Sequence, residues 1–360
     1  VHETTSGEKL QRSFGKKINH GEAIATILKT LTNDKYGVIN RIEEIEAVGH
    51  RVVHGAETFL DTALITDEVI EKIKECIPIA PLHNPPNLKG IEVCRQLLPD
   101  VPQVAVFDTT FHKTIPPYAY LYALPYKYYQ KYRIRRYGFH GTSHYYVAHR
   151  AAEIMDIGLE ELKIITCHIG NGASITAVEG GKSVDTSMGF TPAEGLVMGT
   201  RCGDIDPAVP LYIMERESRD TSEMDRLINK QSGVLGLSGI SNDMRDLTKA
   251  AEDGNDRAQK ALDVYTYRIK KYIGAYYAAL NGVDAIVFTA GVGENSWYVR
   301  ERALEDMEAL GIHLDKAKNR EMVGKEGFIN QKDSRVKILV IGTNEELVIA
   351  RETLRIVQNK

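Results

Sequence analysis

Two hydrophobic periods alternate along this chain, one typical of helices and one typical of buried strands. Apolar residues recur at helical spacing over about 21–32 and 262–280 and predict amphipathic helices there. Short β-branched runs that end in glycine or polar residues predict buried strands. These strands are expected at 45–54, 101–107, 163–169, 174–178, 284–289 and 335–341. The alternation of the two patterns predicts an α/β fold.

Capping residues and prolines predict where two early helices begin and end. Thr66 is the expected N-cap of a helix over 66–77, and a second helix is expected over 87–98. The three prolines of the intervening stretch PLHNPPN, Pro81, Pro85 and Pro86, fix φ and remove backbone donors. They therefore predict a rigid loop, which carries His83.

Capping signals also mark two later helices. Thr142 or Ser143 is expected to cap a helix that runs to about residue 155. Thr343 and Glu346 have the spacing of a capping box at the start of the last helix. Glu345 is then the freer carboxylate at that helix start.

Polar, glycine-rich turns follow several of the predicted strands. Gly170 and Gly172 interrupt one of them, and a turn of this kind presents bare backbone N–H groups that suit a phosphate. An ordinary β-hairpin is the alternative. Gly291 and Gly293 form a similar turn before a helix expected to begin near Glu294. A dinucleotide fingerprint is only weakly met there, because its last glycine is missing.

Charged residues lie at the ends of the two earliest strands. Arg51 is flanked by apolar residues, and a guanidinium is costly to bury unless a carboxylate or phosphate meets it. Asp108 follows the strand at 101–107, at the end where α/β folds hold metals and substrates, although a turn-initiating aspartate is an equal alternative. His50 and His54 would be about 13 Å apart on a strand and could not share a metal ion.

Composition narrows the function classes. The 360 residues are 43% hydrophobic and 26% charged, which is ordinary for a globular protein and long enough for two domains. A formal charge of -4 gives no global attraction to nucleic acid. No apolar run is long enough for a membrane helix or a signal segment, so a cytoplasmic protein is expected. The four cysteines form no paired motif, so reduced thiols are expected.

Eight of the chain's 18 tyrosines lie between residues 118 and 137, among lysines and arginines. Such residues could stack on nucleic-acid bases, but a half-buried subunit surface is favoured because the protein as a whole is acidic. His140 precedes the next helix and His144 falls in its first turn. A histidine at a helix start can meet an anion, whereas a lone histidine is more often structural.

The polar residues together suit phosphoryl transfer, in which metal ions, arginines and glycine turns offset phosphate charge. A serine hydrolase fits less well because no GxSxG elbow is present. The ordered motifs GHRVVHG, APLHNPPN, VFDTTFH, YGFHGTSH, CHIGNGAS, SMGFTPAEGLVMGTRCGDIDP, SNDMRD, FTAGVGENS and TNEELVIARET resemble the acetate kinase family from about residue 20 to 357. The resemblance implies the two-domain, ribonuclease H-like α/β fold of the sugar-kinase, Hsp70 and actin superfamily.

The resemblance also implies a reversible reaction in which ATP and acetate give ADP and acetyl phosphate with Mg²⁺, or with Mn²⁺ as a substitute. Arg51 and Arg201 are then expected to hold the acetate carboxylate and the phosphoryl group, and His140 to stabilise the transition state. Asp108 and Glu345 would position the metal. The small pocket for the acetate methyl group would be formed by Val53, Leu82, Phe139 and Pro192.

The same resemblance assigns the nucleotide site. His168, Asn171 and Gly172 are expected at the phosphates, and His83 is expected to support the site. Adenosine would lie against Asp243, Met244, Arg245, Gly291, Val292 and Asn295.

The implied domain plan divides the chain into two parts. Residues 1–109 with 344–360 would form an acetate and metal domain, and residues 110–343 a nucleotide-binding and dimerisation domain. A homodimer is implied and fits the tyrosine-rich segment. The expected partners are acetate and ATP, with no nucleic acid and no membrane.

One departure from the family pattern concerns the N-terminus. Nothing before His20 matches the hairpin Asn-x-Gly-Ser-Ser-Ser-x-Lys that usually contributes to the phosphate and magnesium site, so a truncated chain is expected. Smaller departures are Ala56 in place of glycine and Gly342 in place of proline.

The alternatives to an acetate kinase are a propionate or butyrate kinase, a nucleotide-binding fragment with impaired catalysis, and a dehydrogenase.

Overall fold

The computed structural model describes residues 18–81 and 83–359, together with the backbone of residues 2–3 and 9–10. The chain divides into two compact units, of which the first comprises Val1–Thr110 and Glu346–Lys360 and the second Phe111–Glu345. Each unit combines helices with β-sheet, so the expected α/β class is confirmed. Within the described residues, no helix is both long and apolar enough to cross a membrane.

The first unit is organised around a three-stranded sheet. Its helices and strands are β1 (His2–Glu3), β2 (Lys9–Leu10), α1 (His20–Leu31), β3 (Val48–Val52), β4 (Ala63–Leu64), α2 (Asp67–Glu75), α3 (Asn84–Leu97) and β5 (Gln103–Phe107). Strand β5 is central, parallel to β3 and antiparallel to β4, while β1 and β2 form a separate antiparallel pair. All five residues of β5 are buried. Phe107 stacks on Phe59 with ring centroids 4.3 Å apart, which anchors the strand in an apolar core.

The second unit contains a six-stranded mixed sheet. Its strands are β6 (Lys163–Ile169), β7 (Ala173–Glu179), β8 (Lys182–Thr186), β9 (Ala285–Thr289), β10 (Gly327–Phe328) and β11 (Lys337–Val340). Strands β11, β9 and β6 are parallel, and β7, β8 and β10 pair antiparallel with their neighbours in the order β10-β11-β9-β6-β7-β8. Gly180 and Gly181 join β7 to β8 with φ of 55° and 75°, a turn that favours glycine at both positions.

Helices cover this sheet and build the remainder of the unit. They are α4 (Pro117–Tyr120), α5 (Lys127–Tyr132), α6 (Gly141–Met155), α7 (Ala208–Glu217), α8 (Thr221–Lys230), α9 (Gly233–Ser238), α10 (Met244–Glu252), α11 (Asp256–Ala279), α12 (Ala290–Asn295), α13 (Trp297–Ala303) and α14 (Lys316–Glu321). Val147, Ala148 and Ala151 of α6 belong to a buried cluster with Ile164 and Val287 of the sheet. The C-terminal helix α15 (Glu345–Gln358) belongs to the first unit from Glu346 onward.

Two predicted helix starts are wrong. Helix α3 begins at Asn84 rather than near residue 87, and Pro85 and Pro86, two of the three prolines expected in a loop, lie in its first turn. Proline is tolerated there because the first N–H groups of a helix have no intrahelical acceptor. His83 therefore occupies the N-cap position of a helix. Helix α6 begins at Gly141, so Thr142 and Ser143 are buried within its first turn and do not cap it.

Two further local predictions need correction. The glycine turn after β9 is helical, because α12 begins at Ala290 and includes Gly291 and Gly293. The predicted capping box of Thr343 and Glu346 does not form, since α15 begins at Glu345 and the Thr343 hydroxyl donates to Ser143 Oγ at 2.8 Å. The start of α2 is predicted correctly, because Thr66 Oγ1 accepts from Val69 N.

Candidate active site

Arg51 and Asp108 form a bidentate ion pair at the carboxyl ends of two parallel strands. Arg51 Nε donates to Asp108 Oδ1 at 3.0 Å, and Nη2 donates to Oδ2. The parallel register pairs Val52 with Phe107, and Asp108 N donates to Val52 O at 3.0 Å, which brings both side chains to the same sheet edge. The Asp108 side chain is 1% exposed and that of Arg51 is 40% exposed. The guanidinium thus compensates a buried carboxylate while keeping one side in solvent.

Two asparagines of α3 hold the segment that follows β3. Asn84 Nδ2 donates to His54 O at 3.0 Å, and its Oδ1 accepts from His54 N at 3.3 Å. Asn87 Oδ1 accepts from Val53 N at 3.1 Å. Because these bonds begin in the first turn of α3, its N-terminal end fixes the backbone of the predicted pocket residue Val53. Leu82, another predicted pocket residue, lies outside the described residues.

The turn between β6 and β7 is closed by backbone hydrogen bonds. Gly170 N donates to Gly172 O at 3.0 Å, and Gly199 N donates to Asn171 O at 3.0 Å. Asn171 Oδ1 accepts from Asn242 Nδ2 at 2.9 Å. A β-carbon added at Gly199 would lie 2.1 Å from Asn171 Oδ1, so this position has no room for a side chain. The turn is therefore held by the loop that carries Arg201.

The Arg201 guanidinium has neutral partners. Its Nη1 donates to Pro192 O at 3.2 Å and contacts Met198 Sδ at 3.6 Å. It makes no ion pair with a carboxylate in the part of the chain that the structure describes. Burial lowers the pKa of Arg201, because desolvation penalises the charged form. A partly buried cation with neutral partners is suited to bind an anion.

His140 and His168 lie face to face beside this turn. Their ring centroids are 4.0 Å apart and the rings are nearly parallel at 19°. His140 is the N-cap residue of α6 with φ of 57°, and its Nδ1 is 2.9 Å from Ser174 Oγ. His168 Nδ1 is 2.8 Å from Ser143 Oγ. A β-carbon at Gly172 would lie 3.5 Å from His140 Nε2 and 3.3 Å from Arg201 Nη1, so the three predicted residues converge.

The six residues predicted to contact adenosine line one cavity of about 830 Å³. Gly170, Asn171 and Gly199 line the same cavity, which links it to the β6–β7 turn. Asp243 caps α10, and its carboxylate accepts hydrogen bonds from Nε and Nη2 of Arg245. These bonds and the Arg245 backbone N–H lower the pKa of Asp243 to about 2. The carboxylate is therefore ionised throughout the physiological range.

The predicted metal ligands are oxygen donors in different units of the chain. Asp108 follows β5 in the first unit, and Glu345 is the first residue of α15 at the end of the second unit. No group of three histidine, cysteine, aspartate or glutamate side chains suited to hold a metal occurs among the residues described. Mg²⁺ commonly takes only one or two protein carboxylates and completes its shell with waters and substrate phosphates. Asp108 and Glu345 both offer carboxylate oxygens, the donor type that magnesium takes.

Sequence reasoning did not identify Ser143, Ser174 and Thr166 as the hydroxyls that contact the histidines. All three are buried, and two of them lie in paired strands where the register matches His168 with Ser174 and Thr166 with Thr176. For Thr166 and Ser174, the signal is the repetition of polar residues at every second position in two otherwise apolar strands. A face of this kind inside a sheet indicates a buried hydrogen-bond network.

A model of the acetokinase family matches residues 1–351 of this chain. The acetate kinase of Halothermothrix orenii is 62% identical over 341 residues, which are 95% of this chain and 85% of that protein. The acetate kinase of Thermotoga maritima is 63% identical over 342 residues, which are 94% of this chain and 85% of that protein.

Solved structures give the same picture. The crystal structure of Porphyromonas gingivalis acetate kinase has a TM-score of 0.91 and 51% identity, and the match covers 98% of this chain and 88% of that one. A propionate kinase from Francisella tularensis has a TM-score of 0.87 and 45% identity, and the match covers 93% of this chain and 84% of that one. This likeness confirms the expected two-domain fold of the sugar-kinase, Hsp70 and actin superfamily.

Proposed function

This chain belongs to the acetokinase family, and from that premise we propose that it is an acetate kinase. It transfers the γ-phosphoryl group of ATP to acetate, reversibly, and forms acetyl phosphate and ADP. The observation that carries the proposal is the cavity of about 830 Å³, whose wall contains all six predicted adenosine contacts and two residues of the β6–β7 turn.

The proposed chemistry requires positioning and charge stabilisation rather than a general base. Acetate is already ionised at neutral pH, so its oxygen can attack the γ-phosphorus without losing a proton, and ADP leaves with the electrons of the broken P–O bond. Arg51 and Arg201 hold the acetate carboxylate and the phosphoryl group, and His140 donates to a phosphoryl oxygen as charge shifts. The neutral partners of Arg201 support this role, because its charge is not compensated by a carboxylate of the described chain.

The nucleotide is assigned to the second unit. Adenosine contacts Asp243, Met244, Arg245, Gly291, Val292 and Asn295, and the phosphates meet His168, Asn171 and Gly172. Two features of the structure support this assignment. All six adenosine contacts line one cavity, and Gly170 and Asn171 of the neighbouring turn line it too, where backbone N–H groups of a glycine turn suit phosphates.

We propose that Val53, Leu82, Phe139 and Pro192 contact acetate, with His83 as a supporting residue. Phe139 is 2% exposed and Val53 is 8% exposed, and Arg201 donates to Pro192 O. A propionate kinase is the second candidate, because a solved propionate kinase is also similar to this chain. The ratio of kcat/KM for acetate to that for propionate decides between them, since one methylene changes binding by about 1–3 kcal/mol.

We propose magnesium as the metal, with Mn²⁺ as a substitute, and Asp108 and Glu345 as its protein ligands. When bound, the metal would offset negative charge on the nucleotide phosphates. Carboxylate oxygens are the donors that this ion prefers. Chelation with excess EDTA should abolish turnover, and added MgCl₂ should restore it. Full turnover in EDTA would contradict the proposed metal dependence.

A homodimer is proposed from the tyrosine-rich segment. Tyr118 is 88% exposed, Tyr126 57% and Tyr132 51%, which leaves large aromatic surface in solvent in a single chain. Sedimentation equilibrium should give twice the chain mass of 40.2 kDa. A single-chain mass at micromolar concentration would contradict the dimer.

We also propose a cytoplasmic location, where ATP is available as substrate.

Steady-state assay tests the activity directly. Purified protein with ATP, MgCl₂ and acetate should form acetyl phosphate and ADP in equal amounts, and the reverse reaction should form ATP. Calorimetric binding of ATP without any product would favour a nucleotide-binding protein that lacks catalysis. Binding of NAD without binding of ATP would favour a dehydrogenase and would refute the proposal.

A further inference from the structure

We infer that buried serines set the tautomers of the stacked histidines, so that His140 and His168 each present an Nε2–H group beside the β6–β7 turn. The function of this arrangement rests on the proposed phosphoryl transfer. The tautomers themselves are a property of the chain and can be measured whether or not the protein is an acetate kinase.

The tautomer of His168 follows from a chain of two hydroxyls. Thr343 Oγ1 donates to Ser143 Oγ at 2.8 Å, and Ser143 Oγ is 2.8 Å from His168 Nδ1. Ser143 is fully buried, so its own proton needs an acceptor, and within the described structure the Nδ1 atom is the acceptor its hydroxyl meets. His168 Nδ1 therefore accepts, and a neutral imidazole then carries its proton on Nε2.

A longer series of hydrogen bonds ends on His140. Ser174 Oγ lies between His140 Nδ1 at 2.9 Å and His144 Nε2 at 2.7 Å. His144 Nδ1 is in turn 2.7 Å from Thr166 Oγ1. Each hydroxyl has one proton, and burial lowers the pKa of His144 well below its usual value, so His144 is neutral and also has one N–H. The hydrogen bonds from Thr166 through His144 and Ser174 to His140 can therefore all run in only one of two directions.

Distances favour the direction that ends on His140. Thr166 Oγ1 has two acceptors in reach, His144 Nδ1 at 2.7 Å and Thr176 O at 3.5 Å. A proton given to the 3.5 Å contact would make at best a marginal hydrogen bond. Thr166 therefore donates to His144, His144 Nε2–H donates to Ser174, and Ser174 donates to His140 Nδ1. His140 then carries its proton on Nε2, like His168.

Two neutral rings with the same tautomer form a donor pair beside Arg201. The rings stack at 4.0 Å, and His140 Nε2 and Arg201 Nη1 both approach Gly172. A further positive charge is disfavoured next to the guanidinium, whereas a neutral N–H donor adds none. Donors fixed before the reaction stabilise developing charge without reorganisation. Ser174, His144 and Thr166 thus act as positioning residues for His140.

Nitrogen NMR of protein labelled with ¹⁵N-histidine tests the inference at neutral pH. His140→Asn and His168→Asn variants assign the ring signals. In the wild type we expect an unprotonated Nδ1 and a protonated Nε2 for both histidines. A proton on Nδ1 of His140, or an imidazolium form of His140 in the free protein, would overturn the inference.

Ser174→Ala removes the hydroxyl that fixes His140. Its His140 signals should shift toward a mixture of tautomers, and kcat should fall about tenfold or more while KM for ATP changes less than about twofold. Thr166→Val keeps the side-chain volume and should cause a smaller change in the same direction. This second variant also serves if Ser174→Ala does not fold.

Ser183→Ala is the matched control. Ser183 is equally buried and lies 2.8 Å from Nδ1 of another buried histidine, His112, which is not among the proposed active-site residues. The control should leave the His140 signals and kcat unchanged. The inference fails if Ser174→Ala and Thr166→Val both keep the wild-type His140 signals, or if Ser183→Ala lowers kcat as much as Ser174→Ala does.

Discussion

Two arginines expected to act on the same substrates are held in opposite ways. Arg51 makes a bidentate ion pair with a carboxylate that is 1% exposed, whereas Arg201 contacts a carbonyl oxygen and a thioether sulfur. The first arginine therefore stabilises its own unit before any ligand arrives. Arg201 is partly buried and its charge is not compensated by a carboxylate of the described residues, which lowers the free energy of unfolding. We interpret the difference as a division between an arginine that serves both the fold and the ligand and one that serves the ligand alone.

The same contrast extends to the groups around each arginine. The first unit joins two strand ends by an ion pair, while the second surrounds its turn with imidazoles, hydroxyls and amides. No carboxylate of the described residues pairs with Arg201, so none competes with an anion for its charge. The two units should therefore respond differently to the loss of an arginine and to acid.

The largest expected effect is that of Arg201→Ala on turnover. Removal of an arginine that stabilises a transferring phosphoryl group should lower kcat by about 10³-fold or more. Stability should stay the same or rise slightly, because a partly buried cation without a carboxylate partner is removed. Steady-state kinetics and thermal unfolding on the same preparation check both parts. A large loss of stability in Arg201→Ala would contradict the comparison.

Arg51→Ala should lose turnover and stability together. It leaves the Asp108 carboxylate buried and unpaired by this arginine, which we expect to cost about 1–3 kcal/mol. The value lies below that of a fully buried pair because the Arg51 side chain is 40% exposed. Urea unfolding of the single variant and of Arg51→Ala combined with Asp108→Asn measures the coupling. The double variant should regain stability but not turnover, and an additive result would refute the pairing argument.

Acid should act on the second unit through a buried histidine. Burial lowers the pKa of His112 from 6.5 to about 4, so the unfolded chain binds a proton below pH 6.5 that the folded chain does not. Stability is therefore lost as pH falls from 6.5 toward 4, by up to about 3 kcal/mol. Urea unfolding at several pH values tests this sign. His112→Gln should show a flatter pH dependence than the wild type, and an unchanged slope would contradict the assignment.

How far the sequence predicts the fold is clear from particular elements. Strand β6 and the start of α2 are predicted at their observed positions, because hydrophobic runs and an N-cap threonine are local signals. The starts of α3 and α6 are missed, because the effect of a proline or a serine on local structure depends on its position within a turn. A first-turn proline cannot be distinguished from a loop proline without knowledge of its neighbours.

The site residues also differ in whether the sequence identifies them. Arg51 and Asp108 stand out as charges at strand ends, and the resemblance to the family supplies the roles of Arg201 and the adenosine contacts. Ser174 and Ser143 are not found, because a serine in a strand or a helix start carries no sign of the partner it will meet. Such partners are fixed by sheet register and by the packing of α6, which act over long sequence separations.

The smallest expected effect comes from Gly172→Ala. The added β-carbon would lie 3.3 Å from Arg201 Nη1, which must yield by a few tenths of an ångström, and at an ordinary contact distance of 3.5 Å from His140 Nε2. We expect kcat to fall about three- to tenfold, because small displacements of aligned groups slow catalysis. Gly274→Ala in α11, where a β-carbon meets nothing within 4 Å, is the matched control and should keep wild-type kcat. Equal kinetics for the two variants would contradict the expectation that turnover depends on the position of Arg201 beside this turn.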